Sequence, residues 1–113
     1  MSQTNPKGTA ITYNKLVRDK IPEIITAAGQ RPTWRVLNDA DNFAALKQKL
    51  YEEVAEFDTD ETAEELADIL EVVFALAAKL GTTPEHLEQH RLNKKAARGG
   101  FDNKLFLEKV EEL

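Results

Sequence analysis

Residues 38–81 read NDADNFAALKQKLYEEVAEFDTDETAEELADILEVVFALAAKLG, and the fold turns on how this stretch divides. Phe43, Leu46, Leu50, Val54 and Phe57 recur at three- and four-residue spacing, the period of one helix face. Asn38, Asp39 and Asp41 precede them as N-cap candidates, so the pattern predicts a helix from about Asp41 to Asp58. The acidic turn Asp58-Thr59-Asp60 leads to a second helix, from about Glu61 to Leu80, which Gly81 ends. A turn this short makes the two helices antiparallel neighbours. The expected fold is all-α, with an antiparallel helical hairpin at its core.

From Leu66 to Leu80 the second helix is apolar on nearly every side, interrupted only by Asp68, Glu71 and Lys79. A helix apolar all round must be covered all round. One chain of 113 residues has too few elements for that, so a helical bundle shared with a partner subunit is expected. Asp68 and Glu71 would then be largely enclosed. An uncompensated buried carboxylate costs several kcal/mol, comparable to the stability of a small domain, so a cation is expected beside them.

The flanks complete a single domain over residues 1–113. Residues 1–12 are polar, lack periodicity and read as a loose arm. Pro22 suits a first helical turn and Gly29 a stop, which predicts a short helix between them. Residues 31–37 read as irregular or as a short strand. Thr83-Pro84 reads as an N-cap followed by Pro at the first helical position, opening a helix to about Ala97. Asp102 or Asn103 is expected to start a last short helix. Trp34 and Phe101 could stack on a base, with core packing as the preferred reading of both.

Composition narrows the function. The absence of Cys excludes a disulfide scaffold, a thiolate zinc site and a cysteine nucleophile. No apolar run is long enough to span a bilayer and the first residues lack a signal-like apolar stretch, so the expected location is cytoplasmic, with no membrane partner. Residues 52–71 hold ten of the 20 acidic side chains and no Lys or Arg; the remaining chain has 15 basic against ten acidic groups. No basic stripe with interleaved aromatics appears, so no nucleic-acid partner is expected. The acidic stretch reads either as a solvated helical face or as a cation site.

Helix geometry favours the second reading. At about 100° per residue, Glu53 and Glu56 lie on the flank of the apolar stripe, whereas Glu52 points nearly opposite it. Glu65 and Asp68 form a second i, i+3 pair. Residues equidistant from the turn share a height, which sets Glu53 opposite Asp68 and Glu56 opposite Glu65. Four carboxylates this close either take up protons or bind metal. Oxygen ligands without His or Cys select Mg²⁺, Mn²⁺ or Ca²⁺. His86 and His90 have an i, i+4 spacing that suits zinc but lack a clear third ligand, and neither has the Glu three residues earlier that di-iron bundles use.

Glu52-Glu53-Val54-Ala55-Glu56 followed by Glu65-Leu66-Ala67-Asp68 resembles the Glu-Glu-x-x-Glu and Glu-x-x-Asp signature of the all-α nucleoside triphosphate pyrophosphohydrolases, the MazG-like superfamily. Asn14-Lys-Leu-Val-Arg-Asp-Lys-Ile-Pro22 and Lys94-Lys-Ala-Ala-Arg-Gly-Gly-Phe101 look like its phosphoribosyl-ATP pyrophosphohydrolase-like branch. The resemblance runs from about Tyr13 to Phe101. It implies Mg²⁺-dependent hydrolysis between the α- and β-phosphates of a nucleotide, Mn²⁺ being an alternative ion, and a homodimer or homotetramer. It carries Glu53, Glu56, Glu65 and Asp68 over as metal ligands. Glu52 or Glu56 would accept the proton of the attacking water. Lys15, Arg18, Lys20, Lys94 and Arg98 are the candidates for holding the outgoing phosphates. Phosphoribosyl-ATP is the alternative substrate, and a non-catalytic helical oligomerisation or nucleotide-binding module is the alternative of another class.

Overall fold

The computed structural model describes residues 8–113. The loose arm expected over 1–12 lies outside the described residues as far as residue 7, and residues 8–12 are exposed without helix or strand. Four helices follow in chain order, α1 (Ile21–Ala27), α2 (Asp39–Thr59), α3 (Ala63–Lys79) and α4 (Pro84–Arg98). No strand occurs among the described residues, so the fold is all-α. Residues 31–37 are irregular: a lone strand would leave its backbone groups to water, and no second strand is there to pair with it.

Capping chemistry sets the helix ends. The Asn38 side chain accepts a hydrogen bond from the Asp41 amide at 2.8 Å, which starts α2 two residues earlier than the apolar spacing predicts. Asp39 and Asp41 in its first turn complement the helix dipole. Thr62 Oγ1 accepts from the Glu65 amide at 3.3 Å, so α3 begins after Thr62 rather than at Glu61. At the far end Gly81, at φ 74°, lets its own amide reach the Ala78 carbonyl and the Thr82 amide reach that of Ala77. Thr83 caps α4 through a 3.1 Å bond from the His86 amide, with Pro84 following, as the sequence predicts.

The described residues form two compact units that divide between Leu76 and Ala77, within α3. In the first unit Leu46 of α2 and Val72 of α3 are buried; in the second, Ala77 is. Single-chain burial is sparse beyond these. Leu66 and Leu70 on α3 are 50% and 49% exposed, Glu71 is exposed and Asp68 is half-buried. The enclosure expected for Asp68 and Glu71 is therefore not supplied by this chain itself.

Two further expectations are corrected. Trp34 and Phe101, expected in the core, are largely exposed. The last helix expected from Asp102 or Asn103 is absent: residues 105–113 carry no regular structure, and only a turn, closed by the Lys104 amide on the Phe101 carbonyl, precedes them. A helix this short is marginal in water unless its apolar face is packed, and here that face is bare.

Because α2 carries half of the acidic residues at issue, its cap is a direct handle on the fold. Asn38→Ala is expected to lower stability by about 1 kcal/mol and Asn38→Asp by far less, as read by denaturant unfolding followed by circular dichroism.

Candidate metal centre

Glu53 on α2 and Glu65 and Asp68 on α3 each offer a carboxylate oxygen, and these three oxygens lie within 4.8 Å of one another. All three residues are half-buried. The arrangement follows from local structure. Asn38 sets the start of α2, the Thr62 cap places Glu65 in the first turn of α3, and Asp68 lies one turn further on the same face. Glu56 is exposed and stands outside this group of oxygens, although its charge still acts on Glu65.

The Glu65 carboxyl is held above its ordinary value of 4.5, first by partial desolvation and then by the negative charges of Asp68, Glu56, Glu53 and Asp60. These groups repel one another. Cations answer part of that repulsion. Arg18 Nη2 donates to Asp68 at 2.8 Å, and Lys49 Nζ sits 3.3 Å from both Glu52 and Glu53. Lys15 Nζ, itself 5.8 Å from the centre of the Tyr13 ring, donates to Glu52 at 3.2 Å. The chain enters this segment through Asn14 in the left-handed region at φ 46°, a conformation that Asn tolerates better than most residues.

Glu52 corrects the helical-wheel reading. It does not point to open solvent: its side chain is one-third exposed and lies between Lys15 and Lys49. Burial pushes its carboxyl up, but the two lysine hydrogen bonds outweigh that and hold it below the ordinary value. The cause is the 14–20 segment, whose docking against α2 no wheel of α2 alone reveals. Lys49 was missed as a site residue, yet its i, i+3 and i, i+4 spacing to Glu52 and Glu53 was a readable signal.

The five phosphate-binding candidates separate. Lys15 and Arg18 reach the carboxylates directly; Lys20 is exposed at the start of α1. Lys94 and Arg98 lie in the second unit, lining a shallow groove on α4 with Leu87, His90, Arg91 and Ala97. His86 and His90 are both exposed, and no cluster of metal-ligating groups among the described residues includes either.

Carboxylate oxygens are the donors that hard divalent ions such as Mg²⁺ and Ca²⁺ take, and these three lie near enough to one another to be a candidate group for one ion. Acidic groups outnumber the cations here: Glu52, Glu53, Glu56, Asp60, Glu65 and Asp68 stand against Lys15, Arg18 and Lys49.

No family model matches the chain, and no solved structure matches it. Similarity does extend to an uncharacterized protein of Mycolicibacterium smegmatis, 52% identical over 48 residues. That match covers 42% of this chain and 49% of the relative, so the similarity spans about half of the relative's length. Among the described residues, no helix is long and apolar enough to cross a membrane.

Glu52 and Glu65 titrate with opposite signs. Between its ordinary and its raised value, folded Glu65 holds its proton more tightly than in the unfolded chain, so stability falls as pH rises through that window. The stabilisation from Glu52 is present above its ordinary value and is lost as pH falls through its depressed value. Without divalent ions, Glu65→Gln is thus expected to raise the melting temperature at neutral pH and Glu52→Gln to lower it. Both differences should vanish in acid, as followed by thermal unfolding from about pH 3 to about pH 8.

Proposed function

We propose that this chain is a divalent-cation-dependent pyrophosphohydrolase that cleaves the α–β phosphoanhydride of nucleoside triphosphates, giving a nucleoside monophosphate and pyrophosphate in a house-cleaning role. The observation that carries this reading is the convergence of Glu53, Glu65 and Asp68 beside Arg18, an acidic cation seat with a guanidinium at its edge. Its chemistry is that of phosphoanhydride hydrolysis, in which the barrier is charge repulsion at phosphorus. The resemblance of the acidic segment to the MazG-like signature supports the same reading.

Glu53, Glu65 and Asp68 would hold Mg²⁺, or Mn²⁺ in its place. Bound there, the ion neutralises phosphate oxygens and lowers the pKa of water. Glu56, which is exposed and whose charge acts on Glu65, would accept the proton of the attacking water. Glu52 is the weaker base because two lysines hold it ionised and engaged; its part is to fix Lys15 and Lys49 at the rim. Arg18, now 2.8 Å from Asp68, would be within reach to hold a phosphate oxygen, whose fork geometry guanidinium suits. Lys94 and Arg98 keep a phosphate-holding role on resemblance alone.

We read α2 and α3 as the antiparallel hairpin of this site, and the protein as a homodimer or homotetramer. Tyr51 and Val54 on α2 and Leu66 and Leu70 on α3 are each about half exposed or more, a helical surface that a second copy would cover.

Pyrophosphate release from a panel of nucleoside triphosphates, with phosphoribosyl-ATP included, tests the proposal. With Mg²⁺ present, Glu53→Gln and Asp68→Asn are each expected to lower turnover on the order of 100-fold or more, since even changes behind metal ligands cost about 10–100-fold. Turnover that survives both substitutions, or that ignores a chelator, overturns the metal mechanism.

A further inference from the structure

Between residues 14–16 and α2 lies an open cleft of about 550 Å³, the size of a small-molecule site. Its α2 side is one stripe of the helix, Ala45, Gln48, Lys49 and Glu52 at i, i+3, i+4 and i+7. Leu16 and Ala45, both half-buried, give it an apolar part. The two walls are fastened to each other where Lys15 donates to Glu52 at 3.2 Å. Three polar side chains around the cleft are unengaged. Asn14 and Gln48 carry amides, each both donor and acceptor, with no hydrogen-bond partner among the described residues. Tyr51 presents a ring that is 69% exposed, and its hydroxyl has no partner there either. Two amides and an aromatic face beside an apolar patch match a planar ring whose edge carries donors and acceptors. A nucleobase is such a ring.

Continuity with the metal centre selects what the ring is attached to. Lys49 lines the cleft and also stands 3.3 Å from Glu53, whose carboxylate belongs to the three-oxygen group. Along α2 the uncharged part of the cleft, at Ala45 and Gln48, lies farther from Glu53 than the charged part, at Lys49 and Glu52. From Gln48 to Glu53 the helix advances about 7.5 Å, which leaves room for a sugar between a ring and the ion. A neutral ring beside Gln48, with an anionic tail passing Lys49 and Lys15 toward Glu53, follows this order of lining.

We propose that this cleft is the nucleobase subsite of the phosphoanhydride hydrolysis proposed above, a reading on which it rests. Tyr51 stacks on the base, and the Asn14 and Gln48 amides read its edge. Lys15 and Lys49 hold the phosphates that lead to the ion. Tyr51 belongs both to the cleft and to the surface that a second copy would cover, so its ring must be tested apart from its apolar bulk.

Nucleoside monophosphates of the common bases are titrated into the full chain without divalent ion, with ribose 5-phosphate as the probe that lacks a base. The side-chain amide signals of Asn14 and Gln48 are followed by nuclear magnetic resonance, with Asn14→Asp and Gln48→Glu to assign them. At least one nucleotide is expected to shift both signals saturably and to bind roughly tenfold more tightly than ribose 5-phosphate. Tyr51→Leu, which keeps apolar bulk, should weaken that nucleotide about tenfold, the order that stacking on one base is worth, and Tyr51→Phe should retain it. Gln48→Ala should change the ratio of affinities among the bases on the order of fivefold. A nucleotide that binds no better than ribose 5-phosphate, amide signals that never move, or a Tyr51→Leu chain equal to the wild type overturns the subsite. The absence of an ion keeps this outcome separate from the metal reading. Mn²⁺ binding with a silent cleft refutes the subsite alone, whereas a responsive cleft with Mn²⁺ left free refutes the metal mechanism and leaves nucleotide recognition standing.

Discussion

The mutual repulsion of the carboxylates that α2 and α3 bring together is the constraint from which the rest of this structure follows. Helix caps at Asn38 and Thr62 fix where each helix begins, and so fix which acidic residues meet. Glu53, Glu65 and Asp68 meet closely, and partial desolvation followed by the charges of Asp68, Glu56, Glu53 and Asp60 raises the proton affinity of Glu65. The basic segment ending in α1 acts as a partial counterion, with Lys15 and Arg18 reaching across to α2 and α3.

That segment also explains why local and distant parts of the site differ in legibility. The i, i+3 spacing of Glu65 and Asp68, and the nearness of both to Glu53, could be read from the sequence because helix period and a short turn leave little freedom. The position of Glu52 could not. Its wheel angle sends it outward, but a stretch some 37 residues away in the chain folds over it, and the contact depends on a tertiary path with no local pattern. The same holds for Glu56, whose matched height with Glu65 gave no warning that its side chain would stay exposed and outside the three-oxygen group.

Helix existence was legible and helix ends were less so. Apolar spacing marked α2 and α3, but side-chain caps shifted their starts by about two residues, because a cap hydrogen bond is invisible to periodicity. The segment after Gly100 failed more instructively. Its pattern is helical and its structure is not, since pattern states only which face wants to be buried, and a short helix forms only where that face finds a surface. Trp34 and Phe101 carry the same lesson: large aromatic residues read as core, yet both stay exposed in the single chain.

The central claim is that Glu53, Glu65 and Asp68 form one divalent-cation seat. Electron paramagnetic resonance of Mn²⁺ titrated into the chain tests it most directly, since free and bound ion are read separately and Mg²⁺ can be used to compete. The account predicts saturable binding that Mg²⁺ displaces, that Asp68→Asn weakens at least tenfold, and that leaves the helix content unchanged. Mn²⁺ that stays free at millimolar protein, or binds equally well to a chain carrying both Glu53→Gln and Asp68→Asn, would contradict it.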